Sequence, residues 1–224
     1  MTKLQILAQQ VVACERCPRL REYCARVARE KRRAFRDQEY WGRPVPPFGD
    51  PQARLLVIGL APAAHGGNRT GRVFTGDRSG DFLFRALYET GFASQPSSIS
   101  RDDGMKLNGV YITAAVRCAP PDNKPLPAEF RNCRPYLEHE LDLLKNLRVV
   151  VVLGRIAFDT YLSILRDRGV IRSRSEFAFG HDREHQLDPV LISSYHPSQQ
   201  NTSTGKLTAE MLRAVFLHAR RFCK

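Results

Sequence analysis

Short apolar runs alternate with amphipathic stretches along most of this chain. The runs typical of buried strands are 55–58, 109–116, 148–154 and 190–195. Helical periodicity covers 3–30, with a break at Cys17-Pro18, and it returns over 81–89, 127–146, 156–165 and 206–223. Strands that alternate with helices predict an α/β fold with a largely parallel sheet.

The chain shows no internal repeat and no linker long enough to separate two domains, so we expect residues 1–224 to form one domain. No apolar run approaches the roughly 20 residues that span a bilayer. The N-terminal MTKLQILAQQ lacks the basic start and continuous apolar segment of a signal peptide. The expected location is therefore the cytoplasm, with no membrane contact.

Positive charge is the first indication of a partner. Lys and Arg total 35 against 23 Asp and Glu, which gives a net charge of +12 and a pI near 9.8. Solubility alone can explain such a balance, but a basic surface also supplies affinity for polyanions, and we favour a nucleic acid. The densest basic run, 26–36, is either a solvated helix end or a phosphate-contacting segment.

The cysteines are too few to form a disulfide framework for a secreted chain of this length, and their spacing indicates another role. A Cys-x-x-Cys pair in a cytosolic chain is typical of metal ligation or redox chemistry. Four thiolates can hold zinc or an iron–sulfur cluster, whereas the distal pair can also be small buried residues. The four candidates are Cys14, Cys17, Cys118 and Cys133, and the two isolated cysteines are Cys24 and Cys223.

The segment 59–80 follows the first strand and contains five glycines beyond Gly59. A loop of this length in a compact domain is usually functional or disordered, and its many specific polar side chains argue against disorder. Ligands of open α/β sheets bind beyond the carboxyl ends of the strands, where this loop is expected to lie. GGNRTGRV has the glycine spacing of a P-loop, but Arg72-Val73 replaces the required Lys and Ser/Thr, which disfavours nucleotide hydrolysis.

Two further polar loops, 117–126 and 195–205, follow later strands. GLAPAAHGGNRTGRVFTGDRSG and SYHPSQQNTSTG, with AAVRCAPPDNKP between them, resemble the uracil-DNA glycosylase superfamily and specifically its B-type, or fifth-family, branch. The resemblance covers essentially the whole chain. It implies a three-layer α/β/α fold with a short, largely parallel central sheet. It also implies a 4Fe–4S cluster on Cys14, Cys17, Cys118 and Cys133, through which the N-terminal 1–50 segment wraps on the domain.

The resemblance further implies excision of uracil from DNA by a monomeric enzyme that extrudes the base from single- or double-stranded substrate. Asp77 would stabilise the sugar cation or activate water, Asn123 would read the base edge, and His196 would donate to the base oxygen. The implied substrate-binding residues are Gly59, Ala61, Ala63, Ala64, His65, Gly66, Asn68, Phe74, Gln199, Gln200 and Asn201.

Each of the main side chains also has a structural interpretation. Phe74 can be an ordinary core residue, and Asn123 can be a turn residue in a proline-rich loop. Asp77 precedes a predicted helix, and Asp is a favoured N-cap, a role that is difficult to combine with catalysis.

One departure concerns the acid that the best-known branch carries after the first strand. Ala63 and Ala64 occupy those positions, as the B-type branch implies, whereas an A-type iron–sulfur branch is expected to carry an acid there. A less polar pocket wall would relax the choice of base toward hypoxanthine. A non-catalytic nucleic-acid-binding module with structural zinc is the alternative from another class of protein.

Overall fold

Four buried strands form the centre of the sheet, because their runs of β-branched and aliphatic side chains are covered on both faces. The structure, a computed structural model, describes residues 1–224. The strands are β1 Phe48–Gly49, β2 Leu55–Gly59, β3 Val110–Ala114, β4 Val149–Leu153, β5 Arg183–His185 and β6 Val190–Ser194. Their order is β1-β3-β2-β4-β6-β5, with the inner four parallel and the two edge strands antiparallel.

Eight helices surround this sheet. They are α1 Lys3–Val12, α2 Pro18–Glu30, α3 Gly67–Thr70, α4 Arg78–Glu89, α5 Pro127–Leu143, α6 Arg155–Asp167, α7 Gln199–Ser203 and α8 Ala209–Arg220. Short 3₁₀ turns cover 33–35, 121–123 and 174–176. None of the helices is long and apolar enough to cross a membrane.

Alternation along the strands divides the core into two apolar layers. Val57 and Val151 point to the layer completed by α4 and α8, while Ile58 and Val152 point to the layer completed by α5 and α6. The three-layer α/β/α arrangement with a largely parallel sheet is thereby confirmed.

Several elements differ from the sequence prediction. The edge strands β1 and β5 were not predicted, because two and three residues of mixed polarity carry no periodic signal. The helix expected at 81–89 begins at Arg78, since Asp77 caps it. Part of the loop expected at 195–205 is the helix α7, which Ser198 caps.

The N-terminal segment lies along the side of the domain. Helix α1 packs against α5, and α2 contacts α3. The proline-rich stretch that follows is fixed by backbone hydrogen bonds: Trp41 N donates to Arg69 O, and Val45 N donates to Arg117 O. Both acceptors belong to the loops that follow β2 and β3, so this stretch packs directly against those loops.

A buried ion pair links the end of β3 to α5. Arg117 and Glu140 are 1% and 0% exposed, and Arg117 Nη2 lies 2.7 Å from Glu140 Oε2. Thr113 Oγ1 donates to the same carboxylate oxygen at 2.7 Å and accepts from Arg117 Nη1. A charge this deeply buried is tolerated only with its partner in place.

Glu140→Gln should lower the free energy of unfolding by about 3 kcal/mol, because it leaves the Arg117 guanidinium buried without a counter-charge. Denaturant unfolding provides the measurement. Asp159→Asn is the matched control, since it breaks the exposed Arg155–Asp159 pair and should cost less than about 1 kcal/mol. Equal losses in the two variants would show that burial of the pair has no special energetic role.

Candidate active site

A groove of about 1380 Å³ opens at the carboxyl ends of the parallel strands. The three loops singled out in the sequence all line it, together with part of the N-terminal segment. The residues that line the groove include Tyr23, Arg32, Phe35, Gln38, Ala61, Ala63, Ala64, His65, Gly66, Arg69, Phe74, Asp77, Asn123, His196 and Gln199.

Phe74 lies across the floor of this groove. Its ring tip sits on Gly59, where an added Cβ would come within 2.6 Å of the ring. Its backbone adopts φ 50, which is uncommon for a bulky side chain and indicates strain held by the surroundings. The ring is tilted by 31° against His196, with 5.9 Å between centroids. One edge of Phe74 packs on the core while the residue also lines the groove, so its structural and ligand-facing roles coexist.

Asp77 is both a helix cap and a groove residue. Its Oδ1 accepts a hydrogen bond from Gly80 N at 2.9 Å at the start of α4. Its Oδ2 faces Gly66, where any Cβ would overlap this oxygen. Burial raises the pKa of Asp77 above its ordinary value, against the opposing effect of the Gly80 and Ser79 N–H groups. A carboxylate with a raised pKa in a cleft is the property expected of a general base.

His196 follows β6 and is held through its backbone. Asn201 Nδ2 donates to His196 O at 2.8 Å, so the first turn of α7 fixes the position of the histidine. Burial lowers the pKa of His196 to about 4, and the ring is therefore neutral at physiological pH. A neutral imidazole can donate one hydrogen bond to an oxygen that gains negative charge.

Asn123 occupies the rim of the groove on the proline-rich loop after β3. Its backbone has φ 57, a left-handed conformation that Asn tolerates better than most residues. Its side chain is exposed and forms no hydrogen bond within the protein, so both amide groups are free for a ligand.

The turn after β2 is held by Arg69, whose importance the sequence did not indicate. This side chain is 7% exposed and donates to His65 O at 2.7 Å, Gly76 O at 2.7 Å and Gln38 Oε1 at 2.5 Å. The guanidinium also lies 4.0 Å from the ring centroid of Phe35. A long loop is thus closed on itself and tied to the N-terminal segment.

Four of the expected substrate-binding residues lie outside the groove. Asn68 is fully buried and donates to Cys24 O at 3.3 Å, so it holds the backbone instead of a ligand. Gln200 is exposed on α7 and does not line the groove, Asn201 supports His196, and Gly59 supports Phe74. Direct contact of these four with a substrate stays a prediction, and in this structure Asn68, Asn201 and Gly59 support the backbone and side chains around the groove.

The basic run at 26–36 places exposed arginines without ion-pair partners beside the groove. Its five arginines, all outside any ion pair, are exposed: Arg26, Arg29, Arg32, Arg33 and Arg36. Unpaired guanidinium groups next to a cleft suit contact with phosphates.

Cysteines gather where the N-terminal segment meets α5. Cys17, Cys118 and Cys133 share one buried cluster with Cys24, and Cys14 lies at its edge beside Tyr136. Burial, with smaller contributions from the neighbouring thiols of Cys17 and Cys14, raises the pKa of Cys133 to about 11. No group of three or more His, Cys, Asp or Glu side chains is arranged to hold a metal ion.

Hydrogen bonds fix the two cysteine-bearing elements to each other. Arg19 forms a bidentate ion pair with Glu129, in which Nε donates to Oε1 at 2.7 Å and Nη2 donates to Oε2 at 2.8 Å. Asn132 Nδ2 donates to Arg16 O at 3.1 Å and also lies 3.4 Å from Cys17 Sγ. These contacts hold the segment that bears Cys14 and Cys17 against the helix that bears Cys133.

The family described as the uracil DNA glycosylase superfamily matches residues 46–220, which include all three groove loops. The chain belongs to this superfamily. A Type-5 uracil-DNA glycosylase of Thermus thermophilus is 50% identical over 217 residues, covering 97% of each chain. Another, from Pyrobaculum aerophilum, is 47% identical over 211 residues, covering 94% of this chain and 89% of that protein.

A Type-4 uracil-DNA glycosylase of Sulfurisphaera tokodaii is only 24% identical over 220 residues, covering 96% of this chain and 84% of that protein. The contrast with the Type-5 relatives confirms the fifth-family branch that the motifs predicted.

Two substitutions of Asp77 distinguish the stability effect of its N-cap hydrogen bond from that of its buried charge. Asp77→Asn keeps a good N-cap and removes a buried charge, so the free energy of unfolding at pH 7 should be at least that of the parent protein. Asp77→Ala should be less stable than Asp77→Asn by about 1 kcal/mol, because α4 loses its cap. Urea unfolding measures both. Equal stability of the two variants would show that the cap is unimportant.

Proposed function

We propose that this protein hydrolyses the N-glycosidic bond between uracil and deoxyribose in DNA. The observation that carries the proposal is the convergence of Asp77, Asn123, His196 and Phe74 on one groove. These are the group types that recognition and cleavage of a flipped base require. The two relatives that are Type-5 uracil-DNA glycosylases support the same activity.

Recognition of the base would use the floor and the rim of the groove. The ring of Phe74, held on a backbone with positive φ, offers a flat face for stacking, and the free amide of Asn123 offers a donor and an acceptor to the base edge. Because Gly59 is held beneath Phe74, the position of this stacking face is set before a base enters.

Cleavage separates an anionic base from a sugar with oxocarbenium character, and water then adds at C1′. The Asp77 carboxylate would stabilise the positive sugar and take a proton from the attacking water. The neutral His196 would donate to the base oxygen that gains negative charge. The leaving base is finally protonated, so the products are free uracil and an abasic site.

DNA would approach over the basic run at 26–36. Its exposed arginines can neutralise phosphates on either side of the extruded nucleotide, while the exposed end of α7, with Gln199 and Gln200, faces the duplex. Excision by such an enzyme would initiate base excision repair, in the cytoplasm and as a monomer.

The wall near Ala63 and Ala64 bears on the choice of base. Neither side chain offers a hydrogen bond or a charge that would reject a larger or differently patterned base. We therefore include hypoxanthine among the proposed substrates.

The cysteines provide the donor set of a 4Fe–4S cluster. Four thiols without any carboxylate or histidine form this set, and the likeness to the fifth-family branch favours the cluster over a zinc ion, which accepts the same ligands. Cys14, Cys17, Cys118 and Cys133 would hold it, and it would supply a structural link between the N-terminal segment and the domain. The groove residues alone perform the proposed reaction.

Single-turnover excision on uracil and hypoxanthine duplexes tests the proposed reaction. Asp77→Asn should lower the rate ~10²-fold or more with DNA binding nearly intact, because the charge beside the sugar is lost. Asn123→Ala should lower the rate more on uracil than on hypoxanthine, because it removes a contact to the base edge. Asp159→Asn, on the exposed face of α6, is the control that should change neither rate.

Two outcomes would overturn parts of this proposal. If the parent protein forms no abasic site from uracil, the activity is wrong and the groove is a binding site. If Asp77→Asn keeps a near-normal rate, the residue acts only as the cap of α4, and cleavage rests on Asn123, His196 and the backbone of the turn after β2.

Iron content tests the cluster. Cys133→Ser should lose iron, the brown colour and soluble yield, because thiolate ligation contributes to folding. Cys223→Ser, near the C-terminus and apart from the other cysteines, is the matched control and should keep full iron. Full iron in Cys133→Ser, or loss of iron in Cys24→Ser, would contradict the assigned ligand set.

A further inference from the structure

Tyr40 lies in the proline-rich stretch that packs on the groove loops, and its hydroxyl bridges two groove elements. The side chain is 7% exposed. Arg32 N lies 3.3 Å from Tyr40 Oη, and Tyr40 Oη lies 3.0 Å from His65 Nδ1. The two rings meet edge to face at 80° with centroids 6.0 Å apart.

The Tyr40–His65 hydrogen bond can run in either direction according to the tautomer of His65, and the other contact of the hydroxyl favours donation by Tyr40. A backbone N–H can only donate, so the Arg32 amide occupies a lone pair of Tyr40 Oη. The hydroxyl proton then has one acceptor within the protein, His65 Nδ1. Accepting at Nδ1 leaves the proton of a neutral imidazole on Nε2.

The environment of His65 favours this neutral form. Burial and the charges of Arg32 and Arg69 lower the pKa of His65 below its ordinary value. Arg69 also donates to His65 O at 2.7 Å, so the backbone that carries the ring is fixed. Nε2 has no partner in the protein, and the residue lines the groove, which leaves this N–H free for a ligand.

Building on the proposed function, we propose that Tyr40 is a positioning residue that holds His65 as the Nε2–H tautomer, aimed at an acceptor oxygen of the flipped nucleotide. The acceptor is either a base carbonyl or a neighbouring phosphate oxygen, which share the same hydrogen-bonding chemistry. His65 is adjacent to Gly66, whose backbone meets Asp77, so the proposed donor stands next to the carboxylate that acts on the sugar.

A double-mutant cycle tests the coupling. Tyr40→Phe and His65→Ala should each lower single-turnover excision of uracil on the order of 5- to 10-fold, which is typical for loss of one oriented hydrogen bond. In the His65→Ala background, Tyr40→Phe should cost nothing further, because its only route to the substrate is gone. Tyr161→Phe removes a hydroxyl from a buried tyrosine on α6 and is the control that should leave excision unchanged.

Nitrogen-15 NMR of the histidine rings gives a readout that does not depend on excision. The parent protein should show His65 as the Nε2–H tautomer, and Tyr40→Phe should stay folded and show a mixture of tautomers. Additive rate losses, or the same tautomer in both proteins, would overturn the proposal and leave Tyr40 a packing residue. If the parent protein failed to excise uracil, the proposed function would fall, while the tautomer result would still decide the role of Tyr40.

Duplexes with a methylphosphonate beside the target nucleotide separate the two acceptors. If the penalty of Tyr40→Phe vanishes on the neutral linkage, the acceptor is a phosphate oxygen. If the penalty persists, the acceptor is a base carbonyl.

Discussion

The site depends on the buried guanidinium of Arg69. It binds the carbonyl oxygens of His65 and Gly76, which lie at opposite ends of the loop after β2, and it reaches Gln38 in the N-terminal segment. A long glycine-containing loop has a high conformational entropy, and an unconstrained one would not hold side chains at fixed positions. By satisfying three acceptors at once, Arg69 fixes the backbone of His65 and of Gly76, the residue before Asp77, and it ties the N-terminal segment to the groove.

Glycines make this arrangement sterically possible at two contacts. Gly59 lies under the ring of Phe74, and Gly66 lies against the Asp77 carboxylate, so a methyl group at either position would displace a groove side chain. The Phe74 ring and the Asp77 carboxylate therefore pack against the backbone of Gly59 and Gly66. Backbone support cannot change rotamer, and catalytic groups benefit from such rigid placement.

The sequence was sufficient for the regular elements but insufficient for contacts made at a distance. Strands such as β4 carry long β-branched runs that only a doubly covered strand explains, and the order of elements then implies a parallel sheet. The edge strand β5 pairs through three residues of mixed burial, and no local pattern reports such pairing. The groove residues Phe74 and Asn123 were identified through motifs. The burial of Asn68 and the contact between Tyr40 and His65 were not, because each depends on segments 25 to 44 residues apart.

Asp77 shows why a structural role and a chemical role need not exclude each other. A carboxylate has two oxygens: Oδ1 satisfies an amide at the start of α4, while Oδ2 faces the turn at Gly66. The cap fixes the rotamer, and the burial that comes with it raises the pKa of the carboxyl group. A carboxyl group whose pKa is higher in the folded than in the unfolded chain makes its ionised form less favourable to folding at neutral pH. That cost to stability accompanies a stronger base, so the N-cap of α4 also has the raised pKa that the proposed attack on water requires.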